Sequence, residues 1–195
     1  MLKIVVVLSF LLLSACTTFD RTHIPPGQRV PGPGFSFEAP RTEHHWFASE
    51  YGTSNHIKLV QLNQADSYSV LVSLNRGPRR GMYPSADMHL SVFQRHKDLE
   101  VHPPGYFLLD HQEWIDEQYG HLCLRYSQNA KDWRGRTKEG AAIIDTQGLT
   151  CEHRTIPNVL ISFELSHRYE ENSEPENLDE IAHQLFKSIE YHSLD

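Results

Sequence analysis

The chain has 195 residues, a formal net charge of -7, 39% hydrophobic and 22% charged residues. At about 150 residues per domain, that is one domain with an appendage, and the composition excludes disordered, collagen-like and coiled-coil chains. The negative charge argues against a general nucleic-acid binder, which needs a basic field to displace counterions from phosphates.

In chain order, residues 1–15 read as a signal peptide. Lys3 supplies a positive start, and Ile4 to Leu13 is apolar apart from Ser9. A spanning helix needs about 20 apolar residues, so this shorter run has the length of a secretory signal core. Leu13-Ser14-Ala15-Cys16 then resembles a bacterial lipobox. The resemblance implies diacylglycerol transfer to the Cys16 sulfur, cleavage between Ala15 and Cys16, and palmitate-type acylation of the new terminus. A single acyl chain holds a protein only marginally, so stable anchoring needs several. In the lipoproteins it resembles, an Asp at the position of Thr17 implies inner-membrane retention. The expected location is therefore the periplasmic face of the outer membrane, with the membrane as a partner through Cys16. Removing residues 1–15 takes away Lys3 and no acid, leaving 17 basic and 25 acidic residues, or -8.

Residues 16–34 read as the lipidated cysteine and a tether. Pro25, Pro26, Pro31 and Pro33 alternate with Gly27, Gly32 and Gly34, and no apolar periodicity appears. A polyproline spacer of this length reaches roughly 55 Å.

Residues 35–195 read as a single domain. Phe35-Ser36-Phe37-Glu38 alternates and stops at Pro40. Ile57–Leu62 and Tyr68–Leu74 are strand-like and joined by the polar Asn63–Asp66, which predicts a hairpin. Ser85 is placed to cap a helix through about Lys97 that buries Met88, Val92 and Phe93. Further strands are expected at Tyr106–Asp110, His121–Tyr126, Ala141–His153 and Val159–Ser166. Ser173-Glu174-Pro175-Glu176 has the form of a capping box. Leu178, Ile181, Ala182, Leu185, Phe186 and Ile189 follow as one helical apolar stripe.

This order resembles the PsbP-like fold of small DcrB-type bacterial lipoproteins. The carrying residues are Phe35–Pro40, the Ser85–Lys97 segment and the terminal Phe186-Lys187-Ser188-Ile189. The resemblance implies an α+β domain, an antiparallel β-sheet flanked by helices as an α/β/α sandwich. It also implies a non-catalytic accessory protein, with no active-site residues carried over.

The chemistry-bearing residues are few. No G-x-S-x-G, H-E-x-x-H or phosphate-loop signature occurs, so no catalytic residue and no cofactor is expected. Cys16 is consumed by lipid, which leaves Cys123 and Cys151 as an even pair in an oxidising compartment, the setting of a disulfide. The triplets His121-Leu122-Cys123 and Cys151-Glu152-His153 offer a metal alternative. On neighbouring strands, His121, Cys123, Cys151 and His153 would form a Cys₂His₂ set. Arg76-Gly77-Pro78-Arg79-Arg80-Gly81 is one basic loop. Lys131 to Lys138 is another, and it carries Trp133, Arg134 and Arg136. Trp and Arg together are enriched at interface hot spots, so these three are the candidate contacts for an envelope protein or anionic surface. The expected function is a lipid-anchored, non-catalytic binding or accessory protein. The alternatives are an envelope hydrolase with an unmotifed His/Asp/Ser site and a histidine-based metal binder.

Overall fold

Alternation along the strands decides the architecture. The computed structural model describes residues 22–50, 56–62, 66–76, 106–120, 123–137, 140–173 and 177–193. In chain order these form β1 (Thr22–Ile24), β2 (Arg29–Gly32), β3 (Phe35–Glu38), β4 (Trp46–Glu50), β5 (His56–Leu62) and β6 (Ser67–Arg76). Then come β7 (Tyr106–Ile115), β8 (Cys123–Thr137), β9 (Gly140–Glu152), β10 (Val159–Glu170), the helix α1 (Leu178–Lys187) and β11 (Glu190–Tyr191).

Eight strands make one sheet in the order β1-β4-β5-β6-β10-β9-β8-β7, with every neighbouring pair antiparallel. A second sheet has the order β11-β3-β2. The strict alternation of β10 puts Ile161, Phe163 and Leu165 on one face of the large sheet. Val70 and Val72 of β6 and Leu149 of β9 join them. The small sheet and α1 cover that face. Phe35 and Phe37 meet Phe163 edge-on, at 5.8 and 5.6 Å between ring centroids. From α1, Leu178, Ala182, Leu185 and Phe186 are buried. The three large ones each contribute about 1.5–3 kcal/mol of apolar burial.

The expected α/β/α sandwich is overturned. The chain is mostly β, and α1 is the one α-helix among the described residues. The expected Ser85–Lys97 helix lies outside them. Long strands take up the chain instead: β8, β9 and β10 run for 15, 13 and 12 residues.

Three further expectations change. Residues 22–34 are not a spacer. Ile24 and Val30 are buried in the core, Gly27 and Gly34 supply turns at φ 76° and 75°, and Pro31 sits in β2 at the edge of the small sheet. An edge tolerates a residue without an N–H, so Pro and Gly serve edge strands and turns here. The terminal helix starts at Leu178, later than the Ser173 box. Asn177 is its cap and accepts from the Glu180 amide, while Ser173 closes a turn by donating to the Glu170 carbonyl. The basic segment after Lys131 is strand rather than loop, since β8 continues to Thr137. The hairpin of β5 and β6 forms as expected, pairing Ile57 with Val72 and Leu62 with Ser67.

Candidate functional site

The large sheet has two unlike ends. At one end Cys123 and Cys151 face each other across β8 and β9, their Cα atoms 4.2 Å apart and their sulfurs bonded. At the other end β8 and β9 outrun their neighbours. β7 begins at Tyr106 opposite Asp132, and β10 ends at Glu170 opposite Ala142. Among the described residues, only β8 and β9 continue beyond that row, as a two-stranded arm.

The arm is bulged and fastened at its base. Asp132 opposes Ala142 and Thr137 opposes Gly140, so residues 133–136 stand against Ala141 alone. Extra residues on one strand bend it and re-aim its side chains. Trp133 emerges 65% exposed. On one face of the arm's base, buried Asp132 pairs with Arg168 at 3.4 Å. On the other face Lys131 pairs with Glu171. Deeper on that second face, Tyr169 donates to Asp145 at 2.8 Å and Asn129 donates to the same carboxylate. Burial, then the Asp145 hydrogen bond, raises the Tyr169 phenol's pKa, so it stays a donor.

Beside the arm, on the sheet face away from α1, lies a groove of about 560 Å³. Val60, Leu71, Ala130 and Ile144 give it apolar walls, and Lys58, Glu164 and Arg168 bring charge. Glu164 is held in place. Tyr126 donates to its Oε2 at 2.8 Å and Ser166 to its Oε1 at 3.4 Å. Tyr126 can reach across because its ring lies over Gly148, the residue between them in the sheet.

Four of the exposed large apolar side chains belong to this groove and arm: Leu62, Leu71 and Tyr106 line the groove, and Trp133 tops the arm. Phe107 pairs with Lys131 on the opposite face, and Leu109 stands in the β7 bulge. Trp114 lies elsewhere. It sits toward the disulfide end beside Arg125, whose guanidinium lies 5.8 Å from its ring centroid. Single exposed apolar residues are ordinary, but a group of them around a concavity marks an interaction site.

The residues singled out from sequence are divided by the fold. Trp133 is at the candidate site. Arg134 and Arg136 follow it in β8, and their side chains lie outside the described residues. Cys16, His121 and the basic residues after Arg76 lie outside them too. The three described members of the Cys₂His₂ alternative are engaged otherwise. Both sulfurs are consumed by their bond, and buried His153 has both ring nitrogens engaged. Its Nε2 donates to the Gly34 carbonyl at 2.9 Å, and its Nδ1 accepts from the Ile156 amide at 3.1 Å. Burial lowers its pKa, so the imidazole is neutral and structural. No group of three or more His, Cys, Asp or Glu side chains arranged for a metal occurs among the described residues. Lys131, which opens the expected basic loop, is paired with Glu171.

The groove residues Glu164, Arg168 and Lys58, and the Tyr126 that holds Glu164, were not found from sequence. They come from three strands, β5, β8 and β10, and only the pairing register brings them together.

No protein-family model matches this chain, and no curated protein matches it. Among solved structures it is similar to the solution structure of cyanobacterial PsbP (CyanoP) from Synechocystis sp. PCC 6803. The identity is 13% and the TM-score 0.47, over 93% of this chain and 99% of that one. That likeness transfers no residue role.

Proposed function

We propose that this chain is a non-catalytic binding protein of the bacterial envelope. It is lipid-anchored through Cys16 at the periplasmic face of the outer membrane, and it holds an envelope protein against the arm and groove. The observation that carries the reading is that exposed Leu62, Leu71 and Tyr106 line the groove while Trp133 stands exposed on the adjoining arm. Exposed aromatic anchors beside a concave, partly polar surface are the anatomy of a binding hot spot. Arg134 and Arg136 follow Trp133 in a chain whose mature charge is -8. A basic arm on an acidic body orients an acidic partner toward the arm and away from the rest of the surface.

The test is the double change Trp133→Ala with Arg134→Glu. Surface changes move stability by about 0.5 kcal/mol, so the fold should persist while partner recovery from intact envelopes falls sharply. Unchanged recovery, or an unfolded variant, refutes the arm's role. For the anchor, Cys16→Ala should block acylation and leave the precursor uncleaved. Maturation of that variant to the parent's lipid-modified mass refutes it.

A further inference from the structure

The first strand begins very close to the proposed anchor. Thr22 follows Cys16 by six residues, and an extended chain spans at most about 3.5 Å per residue, so the link reaches about 20 Å. Thr22 is not the end of a long spacer. It is the first residue of β1, hydrogen-bonded into the large sheet at its outermost position.

The sheet is wider than this link is long. The order β1-β4-β5-β6-β10-β9-β8 puts six strand spacings between β1 and the arm strand, about 29 Å at roughly 4.8 Å each. Following the register across the sheet, Thr22 lies in the row of Ser127. Trp133 is six residues further along β8, about 20 Å at strand rise. The anchored corner and the arm are therefore diagonally opposed, about 35 Å apart in the sheet.

The anchored edge carries side chains suited to a lipid headgroup layer. His23 of β1 packs on His45, with ring centroids 4.2 Å apart, and meets Phe47 edge-on at 5.5 Å. His23, His44 and His45 are exposed. Rings with an apolar body and a polar tip fit the boundary between water and acyl chains.

We infer that the β1–β4 edge is a membrane-contacting surface. Resting on the Cys16 anchor proposed above, it seats His23, His45 and Phe47 against the phospholipid headgroups and points the Trp133 arm away from the bilayer.

The experiment uses the full lipidated protein in phospholipid vesicles bearing a headgroup nitroxide quencher. A small fluorescent amino acid is placed at His23 in one variant and at Trp133 in another. Quenching should be several-fold stronger at 23 than at 133. Inserting 20 Gly/Ser residues between Thr17 and Thr18, which frees the domain from the short link, should leave the stronger quenching at 23 in place while retaining the lipid. Equal quenching at both positions without the insertion, or a difference that the insertion abolishes, overturns the edge contact even though the anchor stands. An unlipidated Cys16 in the mass spectrum overturns the anchor itself, and this inference with it.

Discussion

Gly148→Ala tests the geometry that builds the groove. Gly148 lies between Tyr126 on β8 and Glu164 on β10, and a Cβ added there would overlap the Tyr126 ring at Cζ and Cε1. Both atoms belong to a buried ring, so the tyrosine must move. Overpacking of this kind costs about 1–3 kcal/mol. The displaced hydroxyl also loses its 2.8 Å bond to the Glu164 carboxylate, and hydrogen bonds to charged groups contribute about 1.5–3 kcal/mol. Against this, replacing glycine by alanine within a strand gains about 0.5–1 kcal/mol. The net expectation is a loss of about 3 kcal/mol, a large share of a typical domain's stability. The control is the same change in a Tyr126→Ala background. With the ring gone, Gly148→Ala should be neutral or stabilising by about 0.5 kcal/mol. Urea unfolding of the four proteins followed by circular dichroism closes the cycle, with similar m-values required for comparison. Additive costs would show that Tyr126 does not occupy the space above Gly148, and the account of how Glu164 is held would fail.

Three other perturbations read separate parts of the structure. The Cys123–Cys151 bond closes a 29-residue loop counting both cysteines, so Cys123→Ala with Cys151→Ala should cost roughly 3.5 kcal/mol by chain entropy. Thiol labelling of denatured, unreduced mature protein should find no free cysteine. Arg125 is buried, with its guanidinium 4.7 Å from the Phe186 ring centroid and hydrogen bonds to Tyr119, Gln147 and Asp179. Arg125→Ala should cost about 3 kcal/mol, as a large-to-small change that also leaves the buried Tyr119 hydroxyl without that partner, whereas Asp179→Asn should cost about 1 kcal/mol because the amide oxygen still accepts from the guanidinium at the exposed end of the pair. Both are read by thermal unfolding, and equal losses would refute the burial argument. Burial depresses the His153 pKa, so below about pH 6.5 the unfolded chain takes up a proton that the fold refuses. Stability should therefore fall as pH drops below that value. His153→Gln should flatten the dependence in urea titrations at pH 7 and pH 5, and an unchanged slope would contradict it.

The strands were legible where alternation coincides with burial. Ile57–Leu62 and Tyr68–Leu74 announced their hairpin, and the stripe from Leu178 to Phe186 announced α1. The disulfide was legible from cysteine parity. What escaped was whatever depends on neighbours. Ile24 and Val30 look isolated among prolines and glycines, and only edge pairing makes strands of that stretch. The start of α1 moved because Asn177 competes with Ser173 as a cap, and Ser173 is used by the preceding turn. The arm was hidden because Lys131-Asp132-Trp133-Arg134 has the composition of a turn. Its strand character comes from ladder bonds to β9 and from the ion pairs of Lys131 and Asp132 with Glu171 and Arg168.

The central claim is that the arm and groove form the partner-binding surface, and site-specific photocrosslinking in intact envelopes tests it most directly. A benzoylphenylalanine at Trp133 and another at Leu62 of the groove mouth should each capture the same protein. The same probe at Glu180, exposed on α1, should capture none of it. Capture of that protein from Glu180 as strongly as from Trp133, or of nothing from Trp133 and Leu62, would contradict the account.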